Sequence, residues 1–255
     1  MSLKSEHYCA IIEYDGTLFY GYQLQPDVRT VQGSIETVLA KITKVFTRVS
    51  VAGRTDAGVH AVGQVIAFDI AWRHSISDLY RALNSVLPDD IAVKKLTTVL
   101  PDFSPRYDAL KRSYRYIIVN DTSSTVFERL YSYHVKSELN LNLMKDASVN
   151  LIGRHDFSSF GKSPQPGRHT VRQIMSIDWS TEKNRIIFDI TANAFLYRMV
   201  RNIVGTLLQV GLSRLDSEDV KEILLAKELK RSGPAAPAHG LYLMKVVYPE
   251  YIMNG

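Results

Sequence analysis

The stretch Phe195-Leu196-Tyr197-Arg198-Met199-Val200-Arg201-Asn202-Ile203-Val204-Gly205-Thr206-Leu207-Leu208-Gln209-Val210 carries Leu196, Met199, Val200, Ile203, Val204, Leu207 and Leu208 at helical spacing, a continuous apolar stripe. It predicts the longest helix of the chain, over 195–210, set in a core. Upstream, 114–119, 171–179 and 185–190 read as strands, and 141–152 reads as a helix ended by Gly153. Downstream come a helix over 216–226 with Ser217 near its start, a loop at Ser232-Gly233-Pro234-Ala235-Ala236-Pro237, and a strand over 241–247. A core helix among irregularly spaced strands points to an α+β or mixed α/β fold and not to a repeat protein.

The first half has the same ingredients. Residues 7–14 are β-rich and end in the turn signal Asp15-Gly16, and Ile35, Val38, Leu39 and Ile42 follow at helical spacing. A strand is expected over 46–51, a Gly-rich segment over 53–63 and a second strand over 64–70. Ser77 reads as the N-cap of a helix carrying Leu79, Leu83 and Val86. Leu87-Pro88-Asp89-Asp90 breaks that helix before a strand over 91–96. Two prolines, Pro101 and Pro105, bracket a polar stretch that divides the chain into an N-terminal α+β subdomain, 1–105, and a C-terminal one, 106–255. In element order the two look like a rough duplication of one sheet-plus-helices unit.

Composition narrows the class. With 255 residues, 45% hydrophobic and 22% charged, the chain can bury a core without disulfides or metals. Cys9 is its one cysteine, so it forms no intrachain disulfide and no site built on several thiolates. A reducing, cytoplasmic setting is expected. Met1-Ser2-Leu3-Lys4 has no apolar core or cleavage pattern, and no segment approaches the ~18 apolar residues of a membrane helix, so neither export nor membrane insertion is expected. Residues 1–128 carry 14 Lys and Arg against 14 Asp and Glu, whereas 129–255 carry 17 against 12. The cationic excess lies in the second half and suits a polyanion. ATP-binding, dinucleotide-binding and serine-hydrolase readings lack their glycine motifs, zinc-deaminase chemistry lacks its Cys-x-x-Cys, and the seven histidines contain no His-x-x-x-His. His155-Asp156 reads as a helix-to-loop junction and not as a ligand pair.

Three segments are candidates for chemistry. In Gly53-Arg54-Thr55-Asp56-Ala57-Gly58-Val59-His60-Ala61 the glycines let the backbone turn sharply, aiming Asp56 into a cleft with Arg54 available to a ligand; the alternative is a surface loop in which Asp56 caps a turn and pairs with Arg54. In Lys111-Arg112-Ser113-Tyr114-Arg115-Tyr116, strand alternation places Arg112, Tyr114 and Tyr116 on one face. Guanidinium groups and rings sharing a surface suit phosphates and unstacked bases, and an edge strand with packed tyrosines is the alternative. In the helix over 195–210, Arg201 falls about 20° from Leu208 at the margin of the apolar stripe. It is either a snorkelling arginine or a guanidinium held beside a carboxylate such as Asp56.

Taken in order, these three segments closely resemble the tRNA pseudouridine synthase A family. Glu13-Tyr14-Asp15-Gly16, Gly21-Tyr22-Gln23, Leu87-Pro88-Asp89-Asp90-Ile91 and Gly240-Leu241-Tyr242-Leu243 support the resemblance, which covers nearly the whole chain. Tyr22 departs from it, standing where the family usually has Trp. The resemblance implies two α+β subdomains with antiparallel sheets around a central RNA-binding cleft. It implies isomerisation of uridine to pseudouridine in the anticodon stem-loop of tRNA, around nucleotides 38 to 40, without cofactor or metal, by a homodimer that engages RNA and neither DNA nor membrane. By position it makes Asp56 the nucleophile, Arg201 its pairing cation, Tyr114 the ring that stacks on the flipped base, and Arg54 the side chain that fills the space the base leaves. Arg112 and Tyr116 complete the expected substrate-binding face. Two rivals are a non-catalytic RNA-binding module and a metal-dependent phosphodiesterase.

Overall fold

The computed structural model describes residues 5–123, 126–163, 167 and 169–250. Met1-Ser2-Leu3-Lys4 and most of the loop at Ser163-Pro164-Gln165-Pro166-Gly167 lie outside them. The chain is α+β and forms two compact units: the described parts of Met1–Leu110 with Leu243–Gly255, and Lys111–Tyr242.

In the first unit β1 (Glu6–Tyr14) lies between β3 (His60–Ile70) and β4 (Ile91–Thr98), antiparallel to both, and β2 (Ser50–Val51) pairs with β3. The core-facing side chains include Tyr8, Ile12, Ile66 and Phe68. Two helices, α1 (Val31–Thr43) and α2 (Ile76–Val86), pack against each other. α1 starts where Thr30 accepts the Gly33 N–H and stops where Lys44 turns left-handed, at φ 62°. α2 starts at Ser75 and not at Ser77: Ser75 and Asp78 satisfy each other's backbone N–H in a capping box, which leaves Ser77 inside the first turn. The strand expected over 46–51 shrinks to two residues because the Val49 N–H is drawn to the buried Glu36 carboxylate of α1 at 3.0 Å, while Arg48 pairs with its other oxygen. Chain from the far end completes this unit. The Leu110 N–H donates to Val247 O at 2.8 Å in β10 (Leu241–Val247), Tyr248 donates to Pro105 O at 2.7 Å, and its ring meets Phe103 edge-on. These bonds carry the first unit past the expected seam at 101–105 and give it the chain from Leu243.

The second unit is an antiparallel sheet in the order β5 (Lys111–Asn120), β9 (Arg185–Ala192), β8 (Val171–Glu182), β7 (Gly153–Asp156), with β6 (Tyr133–Val135) parallel to β5. His155 and Asp156 are therefore strand residues facing Arg172 and Val171, not a helix-to-loop junction. Helices α3 (Leu141–Val149), α4 (Met199–Gly211) and α5 (Ser217–Ala226) pack together, α3 also touching β8 and α5 touching β7. α4 is the expected core helix, but it begins four residues late. Tyr197 is tied into a bridge with Lys162, and Arg198 sits at φ 60°, where an L-residue cannot continue a right-handed helix. Asp216 caps α5, which begins at Ser217. No helix among the described residues is long and apolar enough to cross a membrane. Cys9 is buried in β1, and burial pushes its thiol up to about 12, which makes it a poor nucleophile.

Candidate active site

In the first unit, Asp56 sits half-buried in the loop between β2 and β3, with Arg54 exposed beside it. The loop is held on every side. The Ala52 N–H donates to Val65 O at 2.9 Å, Gln64 donates to Gly53 O at 2.7 Å, and the Tyr22 N–H donates to Thr55 O at 3.0 Å. Gly58, at φ 76°, closes the turn in which the Val59 N–H donates to Asp56 O at 3.2 Å. His60 follows with Nδ1 accepting the Gly16 N–H at 3.0 Å. The same nitrogen lies 3.1 Å from an Asp15 carboxylate oxygen.

Tyr22 lies below this loop at 1% exposure. Its hydroxyl has no hydrogen-bond partner among the described residues. Burial pushes the phenol well above its ordinary value, and Tyr14 and Glu36 add to this. A buried hydroxyl left without a partner costs about 1–3 kcal/mol. Tyr22→Phe is therefore expected to stabilise the protein by about 1 kcal/mol, which for a chain of this size raises Tm by about 2–4 °C in thermal unfolding. An unchanged or lowered Tm would show the hydroxyl to be satisfied.

In the second unit, β5 alternates as its sequence predicts. Ser113 meets Thr191 across the strand pair at 2.8 Å, and Arg115 grips the Asp189 carboxylate with two bonds of 2.9 Å on the same face. Arg112, Tyr114 and Tyr116 share the opposite face but not the same depth. Tyr114 is partly exposed, its ring meeting Phe195 edge-on at 5.1 Å. Arg112 is 9% exposed and donates to Asn193 O at 2.8 Å. Tyr116 is fully buried and donates to Pro237 O at 2.8 Å. The expected substrate face is thereby corrected: Tyr116 has no ring surface to offer a base and serves the packing, while Arg112 holds the 193–195 turn on which Phe195 rests. Asn193 completes that turn by accepting the Gln173 and Ala194 N–H groups, both at 2.9 Å.

Arg201 lies in the first turns of α4 at the margin of its buried face. Its Nε donates to Ala236 O at 2.7 Å, and its own carbonyl accepts the Ala236 N–H at 2.9 Å. The consecutive carbonyls of Ala236 and Pro237 thus hold Arg201 of α4 and Tyr116 of β5. The loop around Pro234, which the sequence marks only as a loop, is the connector between them. Among the described residues no cluster of three or more His, Cys, Asp or Glu side chains forms a cation site.

The sequence pattern of the tRNA pseudouridine synthase family matches residues 10–108 and 147–249. The match takes in Arg54, Asp56 and Arg201 and leaves Tyr114 outside. The chain is 43% identical over 239 residues to the tRNA pseudouridine synthase A of Bacillus licheniformis, an alignment covering 93% of this chain and 97% of that protein. The protein of the same name from Bacillus subtilis is 44% identical, with the same coverage. That of Thermotoga neapolitana is 46% identical over 241 residues, covering 94% and 98%. A family pattern running through both units, around a locked Asp loop and a buttressed arginine, makes this chain a member of the tRNA pseudouridine synthase family.

Proposed function

We propose that this protein isomerises uridine to pseudouridine in tRNA, at positions 38, 39 and 40 of the anticodon stem-loop, with Asp56 as the nucleophile. The observation that carries the reading is the extent of the family match, which runs through both units and includes the Asp56 loop. The chemistry agrees with the residues. Cleavage of the N1–C1′ bond sends its electrons into the uracil ring and leaves positive charge at C1′, which a carboxylate can meet by covalent or electrostatic means. The uracil then turns, C5 bonds to C1′, C5 gives up its proton and N1 gains one. The sum is an isomerisation, so no oxidant, reductant or second substrate is consumed.

Arg201 serves as a catalytic cation, and its Nε bond to Ala236 O holds its planar fork in one orientation. Tyr114, whose ring meets Phe195 edge-on, takes the roles of stacking on the flipped uracil and accepting the C5 proton. Arg54 enters the space from which the nucleotide is extruded. Phosphate contacts by the cationic excess of residues 129–255 offset the unstacking of a base within a stem. The protein works as a cytoplasmic homodimer in which one tRNA touches both subunits.

The test is tritium release from unmodified tRNA labelled at uridine C5, in EDTA, with the product mapped by position. The hydrogen at C5 is lost only when a new bond forms there. Release, with pseudouridine at 38, 39 or 40, is expected. A folded protein that binds tRNA but releases nothing from a mixed unmodified pool would be a binding module, and release that EDTA abolished would point to a metal-dependent enzyme.

A further inference from the structure

A buried polar cluster in the first unit lies directly under the Asp56 loop, and nothing in the reaction as written uses it. Tyr14, Thr55 and Gln64 are 4%, 8% and 0% exposed. Tyr14 Oη and Thr55 Oγ1 are 2.8 Å apart, and Gln64 Nε2 reaches both Tyr14 Oη, at 3.4 Å, and Gly53 O, at 2.7 Å. The other end of the Gln64 amide accepts the Val65 N–H at 3.2 Å. Tyr14 is aimed at Thr55 by an irregularity in the sheet. The β1–β3 register pairs Ile12 with Gln64 but Tyr14 with Ala61, one residue out of step, so the strand is re-aimed where the loop needs a support. Burial pushes the Tyr14 phenol up to about 12, so it stays neutral at any working pH. Two further polar groups have been taken out of water to brace a threonine and a glycine carbonyl whose distinction is their place in the Asp56 loop. Surrounded by apolar strand residues, such a network is rigid only while every member is present.

We infer that Tyr14 and Gln64 are positioning residues: through Thr55 and Gly53 they fix the backbone that carries Asp56, and so they set the rate of the chemical step without setting the affinity for tRNA. The inference rests on Asp56 being the nucleophile. A carboxylate must approach C1′ along one direction, and a displacement of about 1 Å can cost as much as 100-fold in rate. No member of the network touches substrate.

The test compares Tyr14→Phe, Thr55→Val and Thr55→Ser with wild type and Asp56→Asn in the full chain. Single-turnover pseudouridine formation at saturating tRNA is measured beside tRNA binding and thermal unfolding. Tyr14→Phe and Thr55→Val are expected to slow the chemical step about 10- to 100-fold at unchanged tRNA affinity, and Thr55→Ser, which keeps the hydroxyl, to recover most of the rate that Thr55→Val loses. If Tyr14→Phe does not fold, the comparison of Val with Ser at position 55 decides. Wild-type rates in Tyr14→Phe and Thr55→Val, or rates that fall only as tRNA binding falls, would overturn the positioning role. Those results beside an inactive Asp56→Asn would overturn it alone, whereas an active Asp56→Asn would overturn the reading of the nucleophile itself.

Discussion

Asp56→Asn is expected to lower the single-turnover rate of pseudouridine formation by about 10⁴-fold or more while leaving tRNA binding and the folding transition in place. Asn has the shape of Asp but neither its charge nor its nucleophilicity, and the bonds that hold the loop remain available to it. The bonds that hold it run through Ala52, Gly53, Thr55 and the Asp56 carbonyl, and none of these needs the carboxylate. What disappears is the carboxylate to which the proposed reaction assigns the positive charge at C1′, and a 10⁴-fold loss corresponds to about 5.5 kcal/mol of transition-state stabilisation. The measurement is tritium release from C5-labelled tRNA under single-turnover conditions, with filter binding of the same tRNA. Retention of more than a few per cent of the wild-type rate would remove Asp56 from the chemistry.

Gly205→Ala is expected to be the most damaging small substitution in the second unit. In an isolated helix the change would help, by about 1 kcal/mol. Here a Cβ would stand 1.8 Å from Pro234 O and 2.9 Å from Pro234 C, both main-chain atoms with nowhere to rotate. Forcing a methyl group into packed backbone costs about 3 kcal/mol, so the clash wins by about 2 kcal/mol and Tm falls by about 4–8 °C. The loop that must retreat is the one that holds Arg201 and Tyr116, and the Gly233 N–H bond to Thr206 Oγ1 is lost with it. Activity should therefore fall at temperatures where the variant is still folded. Thermal unfolding together with tritium release well below Tm checks both parts, and an unchanged Tm would mean that the loop has slack the packing does not show.

Elements determined by local pattern were legible, and those set by distant partners were not. The strand of Leu241–Val247 and the core helix carry their own signals of alternation and apolar stripe. The first turn of that helix was misread because Lys162, far away in sequence, pairs with Tyr197. The strand over 46–51 was overextended because a carboxylate on α1 competes for the Val49 N–H. In the site, glycine and aspartate at 53–58 announced a turn with a carboxylate. Alternation placed Arg112, Tyr114 and Tyr116 on one face, but period carries no information on depth, and depth is what separates Tyr114 from Tyr116. The support beneath Asp56 went unread although one signal was present: Gln64 is an amide among Val65, Ile66 and Ala67, where a buried strand has no use for a polar group unless something answers it. The Ala236 carbonyl had no such signal, since any residue supplies one.

The return of the chain at Leu243 has a consequence for biosynthesis. Residues 111–242 are in effect inserted into the first unit, whose Leu110 N–H waits for Val247 O and whose Pro105 carbonyl waits for Tyr248. A ribosome adding about 5–20 residues per second needs on the order of ten seconds to cross that insertion. For that interval the half bearing Asp56 is made but unfinished, while the half bearing Arg201 can close on its own residues. The nascent chain therefore completes the unit bearing Arg201 first and the unit bearing Asp56 last, so the order of assembly is the reverse of the order of synthesis.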